Sequence, residues 1–169
     1  FLHQAELFGR EGISLSGSGG RGRGGFHYGI QMTSSHLFLE GAGTLALFDC
    51  FGGIGGNFNA GGALFYSTLK APRGEIYLSS FAGGGGETSR ENYGLQLFHT
   101  TLDAKKITGE KIEGGAGKNN NYGLYLESGV SIGSLEREGE IFLEAKSCGV
   151  GTNEVGIFID AGNHLAVQG

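Results

Sequence analysis

The feature that most constrains this chain is a strand motif that returns at a near-constant interval. It recurs as Tyr28-Gly-Ile-Gln-Met32, Tyr93-Gly-Leu-Gln-Leu97, Tyr122-Gly-Leu-Tyr-Leu126 and Val155-Gly-Ile-Phe-Ile159, with a degenerate copy at Gly61-Gly-Ala-Leu-Phe65. Taken at 29, 62, 94, 123 and 156, the leading glycines are spaced by 33, 32, 29 and 33 residues. A second motif keeps phase with the first: Glu11-Gly-Ile-Ser-Leu15, Gly74-Glu-Ile-Tyr-Leu78 and Gly139-Glu-Ile-Phe-Leu143, with looser versions at Gly43-Thr-Leu-Ala-Leu47 and Gly109-Glu-Lys-Ile112. Glycine clusters lie between the two motifs. A third, more variable strand follows each leading-glycine copy, as in His36-Leu-Phe-Leu39, Val130-Ser-Ile132 and His164-Leu-Ala-Val167. Self-similarity at this period marks a stacked repeat architecture.

Each unit of roughly 31 residues therefore holds three strands, and no helical periodicity interrupts them. Alternation of apolar and variable positions gives each strand one buried face. A single unit cannot bury that face alone, but stacking pairs every strand with its copies above and below. The expectation is an all-β, parallel β-helix (solenoid) of about five coils with three strands per coil. Residues 1–12 would close one coil, and 13–44, 45–75, 76–110, 111–140 and 141–169 would form the successive coils of one domain. Inward ladders are predicted as Ile30, Ala63, Leu95, Leu124 and Ile157, and as Met32, Phe65, Leu97, Leu126 and Ile159. Two more combine Ile13, Leu45, Ile76 and Ile141 with Leu15, Leu47, Leu78 and Leu143. Glycines at the corners are expected to supply left-handed backbone. The competing architecture is a β-sandwich or propeller, whose hairpins favour Asn-Gly or Asp-Gly turns; the sequence has neither dipeptide.

Composition narrows the function classes. The 36 glycines come with one proline and no Gly-X-Y period, which excludes a collagen helix. Twelve Phe and six Tyr argue against disorder. Net charge is −5 and the 12 Lys and Arg are scattered, so the basic stripe that nucleic acid requires is absent. Arg21 and Arg23 within Ser18-Gly-Gly-Arg-Gly-Arg-Gly-Gly25 read as a solvated turn. Cys50 and Cys148 fall about three coils apart in this register, too far to bridge, and read as small core or turn residues. No apolar run is long enough for a transmembrane helix. The chain starts at Phe1 rather than Met, so it is read as a processed product or an excerpt of something longer.

Segments such as Gly12-Ile-Ser-Leu-Ser-Gly-Ser-Gly-Gly20 followed by Tyr28-Gly-Ile-Gln-Met32 resemble repeats of large secreted bacterial exoproteins of the filamentous-haemagglutinin-like, two-partner secretion type. The resemblance is one of repeat style over nearly the whole chain. It implies a right-handed parallel β-helix, export to the cell surface or beyond, and a role in adhesion or surface fibres. The domain that directs such export in that family has no counterpart here.

No catalytic, cofactor-binding or metal-binding residues are assigned. The three aspartates, Asp49, Asp103 and Asp160, fall on different coils and at different phases, unlike the paired carboxylates of glycoside hydrolysis. Glu136, Glu138 and Glu140 alternate and read as solvated. The glycine clusters lack the Asp of calcium-binding nonapeptides, and Gly117-Lys118-Asn119 fails as a phosphate loop. The outward row of the leading-glycine strand reads Gln31, Leu64, Gln96, Tyr125, Phe158, and that of the second-motif strand Ser14, Ala46, Tyr77, a charged residue near Lys111, then Phe142. Large apolar residues on an outward row mark a contact surface. Tyr77, Tyr125, Phe142 and Phe158 are the candidates. The sequence thus points to a non-enzymatic structural shaft or fibre that associates end to end and laterally. An adhesin-type module for a glycan or host surface is the alternative, and a polysaccharide-active β-helix enzyme the third reading.

Overall fold

The computed structural model describes residues 1–22, 24–86 and 88–168, apart from the side chains of Leu135, Arg137 and Gln168. Arg23, one arginine of the glycine-rich turn, lies outside the described residues. Among those described there are fifteen strands and no helix. In chain order they are β1 (Leu2–His3), β2 (Glu6–Gly9), β3 (Gly12–Ser18), β4 (Ile30–Thr33) and β5 (His36–Leu39). Then come β6 (Thr44–Phe51), β7 (Gly62–Phe65), β8 (Thr68–Ala82), β9 (Leu95–Phe98) and β10 (Thr101–Glu113). The last five are β11 (Leu124–Leu126), β12 (Ser131–Glu138), β13 (Glu140–Lys146), β14 (Ile157–Ile159) and β15 (His164–Gln168).

Every leading-glycine strand joins one six-stranded sheet in the order β1-β4-β7-β9-β11-β14, and all its pairings are parallel. The other nine strands form a second sheet, also parallel throughout. Partners are about 32 residues apart, and the chain makes about five turns of a parallel β-solenoid. The three strands of a coil are not always separate. In the middle of the stack the second and third run together as β8 and β10, of 15 and 13 residues.

The bore between the sheets is filled by aliphatic ladders. One rung row is Ile30, Gly62, Leu95, Leu124 and Ile157, and another is Met32, Leu64, Leu97, Leu126 and Ile159. Facing them, Ile13, Leu45, Ile76, Ile107 and Ile141 stack from the second sheet. Mid-stack rungs such as Leu95, Leu97, Ile76 and Ile107 are fully buried, each stabilising the fold by roughly 1.5–3 kcal/mol relative to an exposed side chain.

Two predicted registers are corrected. At the second copy the ladder residues are Gly62 and Leu64, not Ala63 and Phe65; Ala63 takes the outward row and Leu64 is core. The counterpart of the other leading glycines is Gly61, and Gly62 can occupy a core rung because the Phe81 ring fills its place. A Cβ on Gly62 would meet that ring at 2.5 Å. In the fourth coil, Ile107-Thr108-Gly109 pairs with Ile76-Tyr77-Leu78, so Thr108 rather than Lys111 stands in the outward row. The strand here continues without a turn, so Gly109 lies on the Leu78 and Leu143 rung, filled from the sides by Leu143 and Ile112.

The glycines also do a different job from the one expected. Left-handed corners fall mostly on other residues: Gln4, Ser34, Tyr66 and His99 at one corner, Phe26, Phe58, Glu91, Asn120 and Asn153 at another. The glycine clusters let coils stack backbone on backbone. A Cβ on Gly84 would sit 1.9 Å from the Gly53 carbonyl oxygen, and one on Gly115 2.0 Å from that of Gly84.

Close approach at Gly61, 2.4 Å from its would-be Cβ to the Cys50 oxygen, pinches residues 52–60 off as a side lobe. The lobe has its own interior. Asn59, Asn92 and Asn121 are fully buried and stacked. Asn59 donates through N and Nδ2 to Asn92 Oδ1 (3.2 and 3.0 Å), and Asn92 likewise to Asn121 Oδ1 (3.1 and 2.9 Å). His27 N donates into the row at Asn59 Oδ1, and Asn121 Nδ2 donates to Glu154 Oε1. Cys50 is buried in the bore, its thiol pushed up to about 12 first by burial. Cys148 is exposed and free.

Candidate contact surface

Residues two apart on a strand share a side of the sheet, so the rungs Leu124 and Leu126 force Tyr125 outward, and Ile157 and Ile159 do the same for Phe158. The strand register sets these two rings opposite each other, with centroids 5.5 Å apart and edge to face. The side chain just before each leading glycine adds to them. Tyr93 and Tyr122 stack at 5.6 Å, and Tyr122 lies flat on Phe158 at 4.9 Å with 9° between the planes. Tyr93 and Tyr122 are nearly buried, while Phe158 is 36% exposed.

Two residues beyond the rings on the same outward side stand Glu127 and Asp160. Their backbones extend the pairing: Glu127 N donates to Leu97 O and Asp160 N to Leu126 O. Glu127 accepts a hydrogen bond from Gln96 Nε2 at 2.8 Å, and Asp160 Oδ1 accepts one from Ala161 N. The patch is thus a square, with two rings on one side and two carboxylates on the other. Burial, then the negative charges of Glu127 and Asp160, push the Tyr125 phenol up to about 12. Burial, followed by Glu91, raises the phenols of Tyr93 and Tyr122 as well.

The other two candidates are elsewhere. Tyr77 on β8 and Phe142 on β13 belong to the nine-stranded sheet, and Thr108 separates them in the row. Tyr77 donates its hydroxyl to Glu110 Oε1, and Phe142, 54% exposed, has no ring contact among the described residues. The structure therefore joins Tyr125 and Phe158 and leaves Tyr77 and Phe142 as single residues on another face. Tyr93, Tyr122, Glu127 and Asp160 were not read as contact residues from the sequence, although their fixed offsets from the leading glycine were a usable signal.

Charges elsewhere pair along the nine-stranded sheet: Lys70 with Asp103 at 3.6 Å, Lys106 with Glu75 at 3.4 Å and Lys146 with Glu113 at 2.8 Å. A groove of about 700 Å³ crosses this side, where Arg73, Lys105 and Lys106 face Glu75, Glu138 and Glu140. Among the described residues no group of three or more His, Cys, Asp or Glu is placed to hold a metal ion, and no helix is long and apolar enough to cross a membrane. Compared with protein-family models, with curated proteins and with solved structures, the chain matches none.

Proposed function

We propose that this chain is a structural segment of an extracellular or cell-surface β-helical shaft, non-enzymatic, assembling by coil stacking with lateral packing. One observation carries the reading: backbone pairing is parallel throughout both sheets, from β1 to β14 and from β2 to β15. Such a stack resists bending and extension because every coil is hydrogen-bonded to the next along its strands. The likeness in repeat style to filamentous-haemagglutinin-like exoproteins supports the surface location. Electron microscopy of the purified chain tests the role. Straight filaments with a repeat along the axis are expected; compact single particles at every concentration would overturn it.

A second reading, an adhesin-type binding module, is favoured by the Tyr125–Phe158 pair, which presents aromatic surface outward. Retention of the chain by a glycan or protein surface, lost on Tyr125→Ser with Phe158→Ser, supports that reading; unchanged retention removes it.

A further inference from the structure

The outer face of the six-stranded sheet has an uncompensated charge. Residues 26–34, 58–66, 91–99, 120–129 and 153–163 form this face with its flanks, and they contain no Lys or Arg. They do contain Glu91, Glu127, Glu154 and Asp160. Glu154 is occupied by the amide row inside the lobe, where it also accepts from Ser147 Oγ. Among the described residues, Glu127 and Asp160 have only amide partners. On the nine-stranded sheet the same chain sets a lysine against Glu75, Asp103 and Glu113. The fold is thus able to neutralise carboxylates by register and does not do so beside Tyr125 and Phe158.

A carboxylate beside an aromatic ring suits a cation twice over. The ring face attracts it through its quadrupole, and the carboxylate accepts its N–H bonds. Here two rings and two carboxylates repeat on adjacent coils, so one isolated ammonium fills only half the patch. An extended chain with cations at alternate residues presents them on one side about 7 Å apart, and the flexible Lys or Arg stems let them converge on carboxylates about 4.8 Å apart on adjacent coils.

We propose that the square of Tyr125, Phe158, Glu127 and Asp160 is a docking site for an extended, lysine- or arginine-bearing polypeptide segment. The proposal rests on the binding-module reading and names its ligand. A neutral sugar would stack on the rings and donate hydroxyls to the carboxylates, but it would leave their two negative charges without a counter-charge.

Calorimetric titration of the full chain with an alternating Lys-Gly peptide is the test, alongside an alternating Glu-Gly peptide and a neutral oligosaccharide. Saturable binding of the Lys-Gly peptide alone is expected. Glu127→Gln with Asp160→Asn, and separately Tyr125→Leu with Phe158→Leu, should each weaken it roughly tenfold or more. Glu6→Gln with Glu144→Gln removes two carboxylates from the nine-stranded sheet and should leave affinity unchanged. Equal weakening by that control would show attraction to bulk negative charge and overturn the site. Oligosaccharide bound at the rings in place of peptide would overturn the ligand and spare the binding-module reading. If no probe binds, both fall.

Discussion

The bore and the side lobe are stacked by the same coils at the same rise, yet their interiors use opposite chemistry. Rungs in the bore are aliphatic and non-directional, so a missing side chain can be replaced from anywhere nearby. Gly62 stands in a core row with Phe81 beside it, and Gly109 with Leu143 and Ile112. Rungs in the lobe are amides that both give and receive. Asn92 accepts from Asn59 and donates to Asn121 and to Ser89 Oγ, so its loss breaks hydrogen bonds to both neighbouring coils and strands the Asn59 N–H. Apolar stacking tolerates variation, whereas hydrogen-bonded stacking fixes alignment.

That contrast sets the order of expected effects. The largest is Asn92→Leu, which leaves the Asn59 N–H buried without a partner and removes the side-chain hydrogen bonds to Asn59, Ser89 and Asn121. At about 1–3 kcal/mol for the orphaned N–H and about 1 kcal/mol for each lost side-chain hydrogen bond, it should cost about 4 kcal/mol in urea unfolding. Leu97→Ala in the bore should cost about 3 kcal/mol, as deletion of a fully buried leucine does. Should the bore variant prove the more damaging, the distinction between the two interiors fails. Gly62→Ala should cost about 1–3 kcal/mol by overpacking against Phe81. Combined with Phe81→Leu it should recover part of that loss, and a double-mutant cycle measures the coupling. The smallest effect concerns pH. A phenol held above its ordinary value of 10.0 keeps its proton in the folded chain while the unfolded chain releases it. Stability is therefore full below pH 10 and falls as pH rises towards about 12. Urea midpoints across that range should decline less steeply for Tyr125→Phe than for the parent chain.

Legibility followed the same division. The bore could be read because alternation around Ile30, Leu95, Leu124 and Ile157 has a period that only a one-sided strand explains. Errors arose where that signal thinned: two glycines at Gly61-Gly62 leave the register ambiguous by one residue, and unbroken β10 has no turn to mark its start. The lobe was not legible, because a buried asparagine looks like a solvated one in sequence. Its trace was the recurrence of Asn59, Asn92 and Asn121 two residues before Gly61, Gly94 and Gly123. Of the contact candidates, Tyr125 and Phe158 were found by parity alone. Glu127 and Asp160 follow the same parity one step further, but charged residues at a strand end carry no apolar signal. Tyr77 and Phe142 were read in a separate row from the other pair; what alternation left unread is that Thr108 stands between them, because β10 runs on without a break.

The amide row in the lobe has a consequence for polarity. Its donors all point one way, from the His27 backbone through three asparagines, and end at Glu154, which accepts one hydrogen bond from the row and a second from Ser147 Oγ. A stack of coils wound from one chain is already polar along its axis, and this thread adds to that a difference in hydrogen-bonding character between the two directions. A neighbour approaching Glu154 must offer a donor, whereas one approaching His27 meets the side from which the relay begins.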